Sequence, residues 1–168
     1  MKTEQVEQEK DKLPIDIGME KGARKSVAQM LMRLQADEKV LYIKTRNFHW
    51  NVMGMHFEPL HAMFETQYTA LTGYIDAIAE RIRSLGHFAP GSMEEYLRLA
   101  RLKEMGHLDG KADKMVKALL EDHESIIRTL RRDLEEAAQL GDAGTSDFLT
   151  GMMENHEKMA WMLRAHLG

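Results

Sequence analysis

Apolar residues recur every three or four positions over four long stretches of the chain, and no stretch shows the two-residue alternation of a half-buried strand. In the first stretch Val27, Leu31, Leu34, Leu41 and Phe48 fall at helical spacing, which predicts a helix from about Arg24 to Val52. "MGMHF" is then a short connection. Pro59 suits the first turn of a second helix, which runs to about Leu85, where Gly86 stops it. After Pro90 and Gly91, "SMEEYLRLA" predicts a short extra helix with Ser92 as its cap and Glu95 three residues on. A third long helix is expected from about Ala112 to Leu140, before Gly141, and a fourth from about Thr145 to Leu167. Four long amphipathic helices with one long connection, between the second and third, predict an all-α four-helix bundle. Residues 1–20 are too charged to pack by themselves and are expected to be a polar tail on a bundle domain of residues 21–168.

The second helix carries two stripes. On a wheel of about 100° per residue with His61 at zero, Leu60, Phe64, Leu71, Ile75, Ile78 and Ile82 cluster near 260–320°, the face for the chain's own core. Glu65, Asp76 and Glu80 fall at about 40°, 60° and 100°, on the side of His61. Imidazoles and carboxylates together form a metal-ligand set, and here they point away from the core. His61 and Glu65 are one turn apart, as are Asp76 and Glu80, so each pair can share an ion. His61 and Glu80, however, lie about 28 Å apart along the axis. Metal–ligand bonds are near 2 Å, so one copy of this helix cannot close a site.

A second copy packed antiparallel about a two-fold axis can. One axis between Ala70 and Leu71 brings His61 to Glu80 and Glu65 to Asp76 at the same time. Thr69, Thr72 and Gly73, near that midpoint, are small enough for close approach of two helices. Such a contact is isologous and makes two equivalent sites per dimer. His49, in the last turn of the first helix, reaches the same place as His61 across the short connection. Each site would take His49, His61 and Glu65 from one chain and Asp76 and Glu80 from the other. A solvated charged stripe with two incidental histidines fits the same pattern.

Composition narrows the chemistry. The 168 residues are enough for one domain with a substantial core. There is no cysteine, so disulfides, zinc ribbons, iron–sulfur clusters and thiol catalysis are excluded, and any metal must be held by nitrogen and oxygen. A formal charge of −4 with mixed signs gives no reason to expect nucleic acid as the main partner. The fourteen methionines read as flexible core filler. "MKTEQVEQEKDKLPIDIG" has no apolar targeting region and no segment approaches a membrane span, so a cytoplasmic protein with no membrane partner is expected.

The stretch "NFHWNVMGMHFEPLHAMFETQY" followed by "IDAIAERIRSLG" resembles the ferroxidase signature of the Dps-type mini-ferritins, the DNA-protection-during-starvation proteins, and the likeness runs on into "HEKMAWMLRAHL". The resemblance implies a ferritin-like bundle assembled as a hollow homo-dodecamer. It implies ferroxidase activity: Fe(II) is oxidised, preferably by hydrogen peroxide, and stored as Fe(III) mineral, which protects against oxidative damage. The family's ligands carry over to His49, His61, Asp76 and Glu80, and its further carboxylate position is Glu65, where many relatives have the shorter Asp. Trp50 matches the family's tryptophan beside the site, though aromatic packing explains it as well. Imidazole and carboxylate suit iron, with a two-iron centre implied, and zinc fits the same ligands. Asp142 and Asp147, in "GDAGTSDF", match positions that line a negative iron-entry pore in similar proteins. Helix capping is the alternative for both.

Other features stay open. "ETQY", "ERIR" and "ENHE" are not the Glu-x-x-His pairs of a di-iron site inside each bundle. Glu38, His123 and His156 nevertheless fall in apolar stripes, where a buried polar network or one accessory metal would account for them. His56, His87, His107 and His166 have no evident partner set and are expected to be solvated. A DNA-compacting protein with secondary iron chemistry is the alternative function. Against it, Lys2, Lys10 and Lys12 are outnumbered by Glu4, Glu7, Glu9, Asp11 and Asp16 in the tail, which predicts weak or absent DNA binding.

Overall fold

Helices α1 (Lys21–Asn51), α2 (Phe57–Ser84), α3 (Met93–Leu99), α4 (Ala112–Gln139) and α5 (Ala143–Ala165) follow the periodic stretches to within a few residues. The computed structural model describes residues 14–106 and 109–168, so the expectations placed on residues 1–13 of the tail and on His107 lie outside it. No strand is present among the described residues, only an isolated bridge pairing Met53 with Lys111.

The ends of the helices have local causes. Ser92 and Glu95 form a full capping box at the start of α3, with each residue's side chain accepting from the other's backbone N–H. Gly86 and Gly141, just after α2 and α4, take φ of 88° and 78°, a left-handed turn that L side chains rarely adopt. Asp142 caps α5, its side chain accepting from the Thr145 N–H.

Helix α1 packs along α2 and beside α4, and α4 packs along α5. The first and last helix pairs are hairpins, and the connection from α2 to α4, which carries α3, crosses the bundle. The core lies where the periodicity put it. Val27, Leu31, Leu34, Leu41 and Phe48 of α1 and Leu60, Phe64, Leu71, Ile78 and Ile82 of α2 are all buried. Each large side chain so buried contributes about 1.5–3 kcal/mol. Ile75, at the edge of the apolar stripe, is only half-buried.

Two polar clamps add direction to the apolar packing. The buried Asp37 carboxylate accepts from the Arg101 N–H at 2.5 Å, the Leu102 N–H at 3.0 Å and the Arg101 guanidinium at 2.7 Å, which anchors the crossing connection to α1. Lys44 of α1 donates to Asp122 of α4 at 2.5 Å. Burial pushes the Asp122 carboxyl up, and the ammonium of Lys44 opposes that. Removing either partner would strand a charge, so the pair specifies which face of α4 meets α1 more than it adds net stability.

Candidate metal centre

His49 closes α1 and His61 opens α2, and the five-residue turn between the helices folds one ring over the other. Their centroids are 3.7 Å apart with 21° between planes. Nδ1 of His49 lies 2.8 Å from the His61 carbonyl oxygen, and Nδ1 of His61 lies 2.8 Å from that of His49. A carbonyl can only accept, so both Nδ1 atoms carry a proton and donate it. In the neutral rings the lone pair is therefore on Nε2 in each case. This is the arrangement of metal-ligating histidines, with one nitrogen anchored and the other presented.

Aromatic side chains pack around the pair. The Tyr68 ring meets His49 edge-on at 5.2 Å and Phe57 lies 5.0 Å from His61. Arg46 donates to the Tyr42 hydroxyl at 2.5 Å and stands over the rings of Tyr42, Tyr68 and Trp50, closest to Trp50 at 5.0 Å. Trp50 itself is 62% exposed, so in a single chain it is a surface residue stacked on an arginine and not a core residue.

Glu65, Asp76 and Glu80 are all exposed, along with Thr69, Thr72 and Gly73 between them. A Cβ placed on Gly73 would meet nothing within 4 Å, so this face has no partner within the chain. Only His49 and His61 of the five expected ligands are brought into contact. Among the described residues no three His, Asp or Glu side chains are arranged to hold one ion between them.

The two pore candidates differ. Asp142 is buried, and its carboxylate accepts from Thr145 N–H at 2.9 Å, Thr145 Oγ1 at 2.6 Å and Arg81 at 2.6 Å. That is the capping alternative, and it leaves the group little to offer a passing cation. Asp147 is exposed. Of the remaining histidines, His56 and His166 are exposed, whereas His87 is half-buried and not fully solvated. Burial and the charges of Arg24, Lys25 and Lys21 hold its imidazole below the usual value.

Sequence reasoning missed Arg46, Tyr68 and Arg81. The spacing of Tyr42, Arg46 and Trp50 at successive turns was the available signal for the first. Arg81 was hidden by its distance in sequence from Asp142.

Comparison with known proteins agrees with this architecture. The model of the ferritin-like domain family matches residues 28–168. A low temperature-induced protein of Nostoc is 46% identical over 154 residues, covering 91% of this chain and 86% of that protein. DNA protection during starvation protein 2 of Bacillus anthracis is 41% identical, covering 85% of this chain and 97% of its own length. Among solved structures, the Dps protein of Vibrio cholerae O1, described as one of a broad superfamily of ferritin-like diiron-carboxylate proteins, superposes with a TM-score of 0.87 at 35% identity. It covers 90% of this chain and 95% of that one.

Proposed function

The chain belongs to the ferritin-like family, as a Dps-type mini-ferritin, and from that premise we propose that it oxidises Fe(II) at centres shared between two copies of itself. Iron storage and protection are the general role that goes with this membership. Each centre takes His49, His61 and Glu65 from one chain and Asp76 and Glu80 of the partner subunit, and the pairs assemble further into a hollow dodecameric shell. The shell works in the cytoplasm; among the described residues no helix is long and apolar enough to cross a membrane.

One observation carries this reading. The reciprocal lock of His49 and His61 leaves both Nε2 lone pairs free, at one end of an exposed stripe of carboxylates that has no use within the chain. Neutral imidazole and carboxylate are suited to ferrous iron, which is substrate and cargo here. The carboxylates also favour the oxidised product, because the attraction grows with the charge on the ion. Two ferrous ions at one centre would each give one electron to hydrogen peroxide. Its O–O bond breaks and both oxygens leave as hydroxide or water, so no hydroxyl radical is released. Asp147, exposed in the first turns of α5, would draw cations toward a symmetric opening in the shell.

The test is anaerobic addition of Fe(II) to purified protein, then peroxide, with particle size followed alongside. Ferric absorbance in a shell-sized species is expected, lost when His49 and His61 are both replaced by alanine. Oxidation at an unchanged rate in that double variant would sink the assignment. A crystal soaked with ferrous iron or zinc should show the ion between His61 of one chain and Glu80 of the partner subunit.

A further inference from the structure

A second set of titratable groups sits where the function above makes no use of it. Glu38 of α1, His123 of α4 and His156 of α5 are all 0% exposed, inside the bundle. Nε2 of His156 stands 2.9 Å from Oε1 of Glu38. Yet neither atom has a directed hydrogen bond, and Oε2 of the same carboxylate has none either. A buried carboxylate without donors is costly, so a stable bundle that keeps one must supply a cation, a proton or a water.

The geometry distinguishes among these. A direct bond would aim the imidazole N–H at the oxygen, whereas here the separation is right and the direction is wrong. Two atoms held about 2.1 Å from a common ion, roughly at a right angle, stand about 3 Å from each other. The far side of His156 has what a ligating imidazole needs: its Nδ1 lies 2.9 Å from Nδ1 of His123. Tyr74 of α2 brings its ring to 5.8 Å from His156. Its phenol is pushed up by burial and then by the charge of Glu38, which places that charge close by. Tyr74 is only half-buried and so marks an edge through which an ion can enter.

We infer that Glu38 and His156 are the ligands of one divalent transition-metal cation, zinc or ferrous iron, held inside each bundle, with His123 positioning His156. The carboxylate supplies two donor atoms and the imidazole one, and water completes the shell. With Nε2 of His156 on the ion, its Nδ1–H donates to Nδ1 of a neutral His123. Nε2 of His123 is then the one polar atom of the set that the ion leaves unsatisfied. The site lies within one chain, so it does not rest on the shared centre.

It is therefore tested with that centre removed. Chelator-stripped protein carrying His49→Ala and His61→Ala is equilibrated with zinc chloride, and bound zinc is measured by dialysis and metal analysis. One tightly held equivalent per chain should disappear, or weaken at least about tenfold, when Glu38→Gln is added. His123→Gln removes no ligand and should weaken it by about tenfold through loss of orientation. Anomalous diffraction at the zinc edge from the unaltered chain should show a peak beside Glu38 Oε1 and His156 Nε2, a readout that stands even if a variant fails to fold. Equal zinc uptake with and without Glu38→Gln, or a map without that peak, overturns the inference.

Discussion

Arg81 donates to Asp142 at 2.6 Å, and through that bond the last turns of α2 are tied to the cap of α5. Arg81 follows the proposed ligand Glu80 in sequence, and a second bond, from its Nε to Thr145 Oγ1 at 2.9 Å, restrains the same segment. The end of the helix that would carry Asp76 and Glu80 is thus held by the loop at the start of α5.

Asp142→Ala should therefore lower stability by about 1–2 kcal/mol, through loss of the cap and of the carboxylate partner of Arg81. Asp142→Asn keeps the capping oxygen and should lose less. Urea denaturation of the two variants beside the parent protein checks the order. Equal losses would mean that the charge, not the cap, stabilises this corner.

His49→Ala and His61→Ala should not behave as independent changes. Each removes one proposed ligand and also the donor that anchors the other residue's backbone. Either single variant is expected to slow Fe(II) oxidation nearly as much as the double variant, with the helices intact by circular dichroism. Simple multiplicative losses in stopped-flow rates would argue against the lock.

Gly73 offers a way to separate folding from pairing. It lies mid-helix on an open face, so Gly73→Leu should strengthen the isolated α2 by up to about 1 kcal/mol through helix propensity. On the proposed two-fold face the same side chain would wedge the two copies apart. Sedimentation should show smaller species with no loss of helix content, and ferroxidase activity should fall with assembly. Normal assembly of Gly73→Leu would place the axis elsewhere.

The pH dependence of stability should carry the mark of His123. Burial, and then the neighbouring His156, hold its imidazole well below the ordinary 6.5. The unfolded chain takes up this proton as pH falls through 6.5 and the folded chain does not. Stability from this group is complete above about pH 6.5 and declines below it, by up to about 1.4 kcal/mol per pH unit until the folded group titrates. In chelator-treated protein, His123→Gln should flatten the fall in melting temperature between pH 7 and 5. An unchanged slope would contradict a neutral, buried His123.

Much of the fold was legible because helices leave a periodic trace. Leu60, Phe64, Leu71, Ile78 and Ile82 could be assigned to the core from spacing alone, and the Ser92–Glu95 cap from three-residue separation. The wheel places Ile75 with the core although it is only half-buried, because it gives an angle and not the position of the neighbouring helix. The Asp37–Arg101 clamp spans more than sixty positions and follows no period, so nothing local announces it. The candidate site divides in the same way. The outward faces of Glu65, Asp76 and Glu80 follow from the wheel, and the approach of His49 to His61 follows from a short turn. The crossed bonds between their rings and carbonyls depend on how far the turn closes, which residue types do not reveal.

Those crossed bonds also decide when the ordering of the two side chains takes place. A freely rotating imidazole must lose its rotamers as it captures an ion, and affinity falls by that amount. Here the rings are immobilised when the hairpin of α1 and α2 forms, so at the proposed centre the entropy would be lost in folding and not on capture of a cation.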